Sequence, residues 1–140
     1  MRCRFPIVTL DELDRWLDVY GRAWERQDVE GFVACFTEGA LYSWGPWGEP
    51  LGGHGEIRAR TEQAIANQED ISFGHEPLAI TPAGRGIARW WVSVRVPGAS
   101  TIEEDEGIFL VTLGADGRCT EFREWWNSRS RPAGKRPDES

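Results

Sequence analysis

Glu124 is the residue whose sequence surroundings best suit it to move a proton. It lies in the run Phe122-Arg-Glu-Trp-Trp126, and strand alternation puts it on the same face as Phe122 and Trp126. A carboxyl group among aromatic rings is poorly solvated, which raises its pKa and suits it to general acid or base catalysis. The structural alternative is that Glu124 accepts bonds from indole or backbone N–H groups, or pairs with Arg60.

His75 and Tyr20 carry two further side chains suited to acid–base or oxygen-binding chemistry. A histidine titrates near neutral pH, so His75 can relay a proton, although Glu76-Pro77 beside it also suits a satisfied, partly exposed histidine. Tyr20 lies on the apolar stripe of a predicted helix, where its hydroxyl can donate to a ligand oxygen in a dry pocket. The alternative for Tyr20 is a core tyrosine bonded to a neighbour.

The acidic run at positions 103–106 raises the question of a metal site. Strand alternation divides these carboxylates between two faces, and no histidine lies near them in sequence. Oxygen ligands alone suit a hard cation at best. The sequence also lacks a Ser-His-Asp order, a Walker loop and Rossmann glycine spacing. We therefore interpret the run as a solvated strand start at the rim, and we predict no metal and no cofactor.

Length and charge narrow the class of protein. A chain of 140 residues is of a size for one domain with its own core. The net charge of −7 argues against nucleic acid as a partner, because phosphate contacts need clustered Lys and Arg. No apolar run is long enough to cross a membrane, and residues 1–6 lack an apolar signal core, which predicts a cytoplasmic protein. Cys35 and Cys119 are expected to be buried thiols.

Two pairs of adjacent tryptophans, Trp90-Trp91 and Trp125-Trp126, lie in strand-like segments. Neighbours on a strand point to opposite faces, so each pair sends one indole to each side of a sheet. One face can then line a core or a cavity. The other face needs a second layer or another subunit.

The pattern of apolar residues predicts three helices followed mainly by strands. Thr9 and Glu12 have the spacing of a capping box at the start of the first helix, and Asp28 suits the N-cap of a short second helix that ends at 38–39. The third helix is predicted over 54–67. The predicted strands are 40–44, 71–75, 87–96, 101–113 and 118–127. Helices segregated beside an antiparallel sheet indicate an α+β domain over 9–127, with an N-terminal extension at 1–8 and a disordered tail at 128–140.

Several local motifs, in this order and spacing, carry a resemblance to a known superfamily. These are residues 20–24, 27–32, 53–58, 107–118 and 122–126. They resemble the nuclear-transport-factor-2-like superfamily, and within it the SnoaL-like branch. The resemblance implies a cone-shaped fold, in which a curved antiparallel sheet wraps around the first and third helices and encloses a pocket. It also implies a small hydrophobic ligand in that pocket and a dimer through the outer face of the sheet.

Comparison with the ketosteroid isomerases of that superfamily places their functional positions on this chain. Their helix-one tyrosine is matched by Tyr20, their catalytic base falls on Trp44, and their second aspartate falls near Glu106 or Gly107. An indole cannot accept a proton from a substrate carbon, which argues against steroid-isomerase chemistry by that family's usual arrangement.

The register implied by the resemblance divides the side chains between the two faces. The expected substrate-binding residues are Trp16, Trp24, Trp44, Arg60, Phe73, Trp90, Glu106, Phe122 and Trp126. The outward residues Arg89, Trp91, Arg123 and Trp125 are expected to form a homodimer interface. A slip of one residue would exchange the two sets.

We therefore expect a SnoaL-like enzyme that performs cofactor-independent proton transfer on a hydrophobic cyclic or aromatic molecule. The reaction would be an isomerisation, cyclisation or dehydration, with Glu124 or His75 as the acid or base and Tyr20 holding a carbonyl oxygen. The alternative is a non-catalytic binding module, because this superfamily contains both enzymes and binders. A protein-docking role for the outer face is a third possibility, although a homodimer explains the same outward tryptophans more simply.

Overall fold

Three helices pack on one side of a curved six-stranded sheet in the computed structural model, which describes residues 8–133. The helices are α1 (Leu10–Glu25), α2 (Val29–Val33) and α3 (Gly53–Ile65). The strands are β1 (Phe36–Trp44), β2 (Leu51–Gly52), β3 (Glu69–Ile80), β4 (Gly86–Arg95), β5 (Thr101–Leu113) and β6 (Cys119–Pro132). Their order across the sheet is β2-β1-β6-β5-β4-β3. The predicted α+β fold is confirmed.

The two predicted helix caps hold the helices that position the site. Glu12 N donates to Thr9 Oγ1 at 3.1 Å, and Gly31 N donates to Asp28 Oδ1 at 2.9 Å. Each bond satisfies one of the free N–H groups at a helix start. The face of helix α1 that carries Tyr20 is buried against the sheet.

The sheet is mixed, because β1 runs parallel to β6 while the other neighbouring strands are antiparallel. An all-antiparallel sheet was expected. The strands β3 to β6 follow one another through short connections that reverse the chain, whereas β1 joins β6 from far away in sequence, so no hairpin sets its direction.

Strand β6 continues to Pro132, five residues beyond its expected end at Asn127. Residues 128–132, expected in a disordered tail, pair with the first residues of β5. Backbone pairing with β5 continues the strand, and Arg129 and Arg131 both add ion pairs with Glu104. Residues 1–7 and 134–140, which include most of the predicted extension and tail, lie outside the described residues.

Other boundaries differ near the start of the sheet. Helix α2 ends at Val33 and not at 38–39, so β1 begins at Phe36, four residues before the predicted start at 40. The turn chemistry before α3 contains the short strand β2, and β3 extends to Ile80. Strand β5 matches its predicted range, Thr101–Leu113.

Alternation on the sheet is confirmed at the residues that matter for the site. Trp90, Val92 and Val94 on β4 are buried on the inner face, as are Phe122 and Glu124 on β6. The outward residues include Trp91, which is 38% exposed. The predicted register is therefore correct for β4 and β6.

The core between helices and sheet is dominated by aromatic rings. Tyr20 on α1 stacks on Phe122 with ring centroids 5.5 Å apart, and Phe109 stacks on Trp90 at 4.7 Å. Cys35 and Cys119 are buried free thiols, as predicted. None of the helices within residues 8–133 is both long enough and apolar enough to span a membrane.

Candidate functional site

A cavity of about 210 Å³ lies between the three helices and the inner face of the sheet. Helices α1, α2 and α3 form one wall, and β1, β4, β5 and β6 form the other. The lining residues are Tyr20, Trp24, Phe32, Tyr42, Trp44, Thr61, Ala64, Ile65, Gln68, Trp90, Glu103, Asp105, Glu124 and Trp126. The wall is thus largely aromatic, with carboxyl groups from two strands.

Glu124 lies deep in this cavity, and only 4% of it is exposed. On the sheet it pairs with Trp44 of β1 on one side and Phe109 of β5 on the other. Burial raises the pKa of its carboxyl from 4.5 to about 8, and the charge of Asp105 adds to the rise, while the Tyr42 hydrogen bond and Arg60 oppose it. At neutral pH the group therefore holds its proton for most of the time.

Two tyrosine hydroxyls form a chain that ends on Glu124. Tyr42 Oη donates to Glu124 Oε1 at 3.5 Å, and Tyr20 Oη lies 3.2 Å from Tyr42 Oη. A phenol has one proton to donate, so when Tyr42 donates to the ionised Glu124, Tyr20 donates to Tyr42. Burial and the Glu124 charge raise the pKa of both phenols, which stay protonated. In this state Tyr20 supports Tyr42, and its proton is not free for a ligand oxygen.

Two indole N–H groups in the cavity wall are the donors left without partners. Trp44 Nε1 and Trp90 Nε1 are buried and make no hydrogen bond with residues 8–133, whereas Trp24 Nε1 donates to Gln68 Oε1 at 2.7 Å. A buried donor without an acceptor is destabilising by about 1–3 kcal/mol. An acceptor oxygen of a bound molecule would satisfy either group.

A glycine separates two of the cavity tryptophans. Gly107 on β5 pairs with Trp90 on one side and with Trp126 on the other. Paired residues face the same way, so the inner face carries two indoles with no side chain between them. The backbone itself requires this glycine, since a Cβ on Gly107 would collide with the carbonyl oxygen of Trp125.

The mouth of the cavity is acidic. Glu103 and Asp105 line it from β5, and burial raises the pKa of both carboxyl groups. Glu106, predicted to be the member of this run closest to the cavity, instead faces outward and accepts a bond from Arg89 Nε at 2.8 Å. The prediction for Glu106 is wrong by one residue, because Gly107 occupies the inward position next to Trp126.

His75, predicted as a catalytic residue, is not among the residues that line this cavity. It is on the inner face, as alternation predicts, but it lies on β3 next to helix α1. There His75 Nε2 lies 2.9 Å from Asp14 Oδ1. Of Glu124 and His75, the two predicted acid–base groups, Glu124 is the one that lines this cavity.

Four of the predicted binding residues also lie outside the lining, and they support it from behind or from the rim. Trp16 is core, and its Nε1 donates to the Cys35 carbonyl at 3.0 Å. Phe122 is fully buried against Tyr42, and Phe73 packs behind Trp90. Arg60 is exposed, and its guanidinium lies 4.6 Å from the Trp44 ring centroid. The predicted residues that the cavity does bring together are Tyr20, Trp24, Trp44, Trp90, Glu124 and Trp126.

Tyr42, the direct partner of Glu124, was not predicted from the sequence. Alternation along β1 puts Tyr42 on the same face as Trp44, so that signal was present. Asp105 was not predicted either, because the inward positions of β5 were assigned with an error of one residue. The lining residues Thr61, Ala64, Ile65 and Gln68 come from the end of α3 and the turn after it, where no pattern pointed to a cavity.

The arrangement can donate a proton from Glu124, hold an oxygen with an indole N–H and enclose a ring between indoles. Across residues 8–133, no group of three or more His, Cys, Asp or Glu side chains is arranged to hold a metal ion. The side chains that line the cavity offer acid–base chemistry and ligand binding directly.

Solved structures of low sequence identity share this fold. RV0760c from Mycobacterium tuberculosis is 16% identical, with a TM-score of 0.74, covering 89% of this chain and 99% of that chain. RV0760c has also been solved in complex with estradiol-17beta-hemisuccinate. Delta 5-3-ketosteroid isomerase from Mycobacterium sp. is 14% identical, with a TM-score of 0.72, covering 86% of this chain and 98% of that chain.

SalBIII, an epoxide hydrolase/cyclase-like enzyme of pyran ring formation in the polyether salinomycin, has the same fold. It is 17% identical, with a TM-score of 0.71, and the match covers 85% of this chain and 95% of that chain. Such identities show a common fold and not a common activity. No curated protein matches the chain.

The sequence itself gives the family. The profile of the family described as SnoaL-like domain matches residues 14–122, which run from the first half of helix α1 to the start of β6. That match spans most of the chain and agrees with the fold of the solved structures above. The chain therefore belongs to the SnoaL-like domain family, and its structural neighbours are in the nuclear-transport-factor-2-like superfamily.

Proposed function

We propose that this protein is a cofactor-independent proton-transfer enzyme for a small cyclic or aromatic molecule, with Glu124 as its general acid. The observation that carries the proposal is the buried Glu124 carboxyl, which lines the cavity and holds its proton at neutral pH. A general acid works best when its pKa is near the working pH, and a raised carboxyl pKa in a cleft is typical of such groups.

The chemistry needs only groups that the cavity contains. Glu124 gives its proton to an oxygen of the substrate, and the carboxylate then takes a proton from a carbon beside the carbonyl. Tyr42 stabilises that carboxylate through its hydrogen bond. Trp90 Nε1, otherwise without a partner, can hold the substrate oxygen during both steps. The net result is an isomerisation, or a dehydration when the protonated oxygen leaves as water.

The size and lining of the cavity favour a ligand of one or two rings. Its volume is about 210 Å³. That exceeds the cavity of about 150 Å³ that binds benzene in an engineered protein, and it is smaller than the range of about 300–1,000 Å³ typical of drug-sized ligands. The indoles of Trp24, Trp44, Trp90 and Trp126 provide ring surfaces for stacking.

The second candidate is a binding module of the same fold without turnover. The position that corresponds to the base of ketosteroid isomerases is Trp44, which cannot take a proton from carbon. A solved complex of RV0760c with estradiol-17beta-hemisuccinate shows that this fold holds ring-bearing ligands. In a binder, the same cavity would hold its ligand and Glu124 would only accept a hydrogen bond.

Deuterium exchange separates the two candidates without knowledge of the natural substrate. Cyclohexanone, 1-indanone and 3-hydroxycyclohexanone are incubated with the protein in heavy water, and mass spectrometry follows deuterium uptake and loss of water. We expect acceleration of at least one reaction by wild-type protein and a loss of about 100-fold or more in Glu124→Gln. Glu121→Gln, on the same strand, is the matched control and should retain the full rate. Binding of these ketones without acceleration would support the binder and contradict the enzyme.

We also propose that two copies associate through the outer face of the sheet. Arg89 lies over the Trp91 ring at 4.6 Å, and Arg123 lies over the Trp125 ring at 4.9 Å. Ile108, on the strand between these pairs, is 37% exposed. Aromatic and arginine side chains are enriched in protein interfaces. In a twofold dimer through this face, the arginine–tryptophan pairs of one protomer would be buried against the same face of its partner.

A further inference from the structure

We propose that the ligand of the cavity is a cation, with its ring between the indoles and its ammonium group at the mouth beside Asp105 and Glu103. The inference rests on the proposed function only in that the same cavity binds the ligand. It adds the charge of that ligand, which the proton-transfer chemistry does not determine.

The carboxylates of the acidic run at 103–106 are unevenly paired with cations. Each outward carboxylate has a cation, because Glu104 pairs with Arg129 and Arg131 and Glu106 pairs with Arg89. The inward carboxylates have none within residues 8–133.

The contacts of the two inward carboxylates are sparse. Ser128 Oγ donates to Asp105 Oδ1 at 2.5 Å, and the Glu103 side chain makes no hydrogen bond or ion pair with the described residues. Among the described residues, those that line the cavity include no lysine, arginine or histidine. Two partly buried carboxylates without a counterion are a place where a bound cation is strongly favoured.

The aromatic wall of the cavity also suits a cation. A cation is attracted to the face of an aromatic ring, and tryptophan gives the strongest such contact. The cavity presents Trp24, Trp44, Trp90 and Trp126, and the Arg60 guanidinium already lies over Trp44 at 4.6 Å from the ring centroid. Aromatic side chains together with carboxylates are a suitable lining for an organic ammonium ion.

The aromatic and acidic groups follow a definite order along the inner face of the sheet. Trp90, Gly107 and Trp126 lie side by side in one row of the sheet. Glu124 lies one inward position deeper along β6, and Asp105 lies one inward position nearer the mouth along β5. Inward positions on a strand are about 6.8 Å apart. A ring over Gly107, with an amine on a side chain of one or two carbons, would thus reach Asp105 while its other edge faces Glu124.

Trp90 Nε1 points independently to a ligand. Trp90 lines the cavity, is 2% exposed, and its Nε1 has no hydrogen-bond partner among the described residues. An acceptor oxygen or the electron-rich face of a ring in the ligand would satisfy it. The full ligand class is therefore a ring-bearing amine, with or without an oxygen substituent.

Three phenylalkyl probes that differ in charge test this inference. Isothermal titration calorimetry at pH 7 compares 2-phenylethylamine, 2-phenylethanol and 3-phenylpropanoate, which are a cation, a neutral molecule and an anion. We expect the wild-type protein to bind the amine about tenfold more tightly than the alcohol, and the anion more weakly than both.

Two double variants with the same net charge separate the site from the overall acidity of the protein. In Glu103→Gln with Asp105→Asn the preference for the amine should fall to about equal binding of amine and alcohol. In Glu104→Gln with Glu106→Gln, on the outer face, the preference should persist.

The comparison in wild-type protein decides the matter even if a variant does not fold. Binding of the alcohol as tightly as or more tightly than the amine, including no detectable binding of the amine, overturns the cation inference. So does a preference that both double variants lose equally. Neither result bears on deuterium exchange by Glu124, and a failure of that exchange leaves the preference for the amine standing.

Discussion

Tyr42 Oη donates to Glu124 Oε1 at 3.5 Å, which joins β1 to β6 at the deep end of the cavity. The bond crosses the one parallel pair of strands in the sheet. Tyr20 Oη, 3.2 Å from Tyr42 Oη, extends the chain to helix α1. The protonation of Glu124 is thereby set by side chains from three separate elements.

Substitution of Tyr42 should raise the pKa of Glu124. The Tyr42 hydrogen bond opposes the effect of burial on Glu124. Its loss in Tyr42→Phe should raise that pKa by roughly one unit, since a hydrogen bond to a charged group is worth about 1.5–3 kcal/mol and this one is long. Nuclear magnetic resonance of the ¹³C-labelled Glu124 carboxyl measures the change. Tyr20→Phe, one step further away, should give a smaller rise. An unchanged pKa in Tyr42→Phe would show that the bond does not act on the ionised carboxylate.

Glu124 should make the protein less stable as pH rises. The unfolded chain loses this proton near pH 4.5, whereas the folded chain keeps it until about pH 8. Between those values the unfolded state binds fewer protons, so the free energy of unfolding falls as pH rises, and the loss is complete above pH 8. Its size is at most about 5 kcal/mol.

The side chain introduced by Glu124→Gln is neutral at every pH, so this variant should not show the fall in free energy of unfolding that Glu124 causes. Urea unfolding at pH 5, 7 and 9 measures it, and the stability advantage of Glu124→Gln over wild type should grow with pH. Glu121→Gln should follow the wild-type curve. If the free energy of unfolding varied with pH in the same way for wild type and Glu124→Gln, the Glu124 carboxyl would not have a raised pKa in the folded protein.

Gly107 should tolerate no larger residue. A Cβ there would meet the carbonyl of Trp125, which is backbone and cannot move without disturbing the pairing of β5 with β6. We expect Gly107→Ala to lower the free energy of unfolding by about 3 kcal/mol or more. Gly39→Ala, in β1 with nothing within 4 Å of the added Cβ, is the control. Thermal unfolding compares them, and equal stability of the two variants would refute the close approach.

The outer face should lose its ability to associate when it carries a buried charge. Trp91→Asp or Trp125→Asp should give the mass of one chain in light scattering, where the wild type gives two. Trp47→Asp is the control, because Trp47 is 95% exposed and lies in the turn after β1. A wild-type mass of one chain, or a dimer mass that survives both substitutions, would contradict the proposed interface.

Local patterns in the sequence predicted much of what positions the site. Thr9 and Asp28 cap helices because each side chain lies three residues before the backbone N–H group from which it accepts a hydrogen bond. Alternation put Trp90 and Glu124 on the buried face, since the period of a strand is two and both segments are long. These features depend on residues near one another in the chain.

What the sequence did not predict depends on which strands meet. Glu106 was expected inside and Asp105 was not, because the inward phase of β5 is set by its pairing with β6 at Gly107 and Trp126. The residues after Asn127 have the composition of a disordered tail, yet they continue β6, and Arg129 forms an ion pair with Glu104 of the neighbouring strand. His75 was given the correct face, but its distance from the cavity depends on how α1 covers β3.

The most direct test of Glu124 as a general acid is a titration of its carboxyl in the folded protein. A ¹³C chemical-shift titration of the Glu124 side-chain carboxyl, assigned by its disappearance in Glu124→Gln, should give a midpoint near pH 8, as expected for a buried carboxyl held by the aromatic cavity. A midpoint near 4.5, the ordinary value for glutamate, would show a solvated carboxylate and would contradict its role as a general acid at neutral pH.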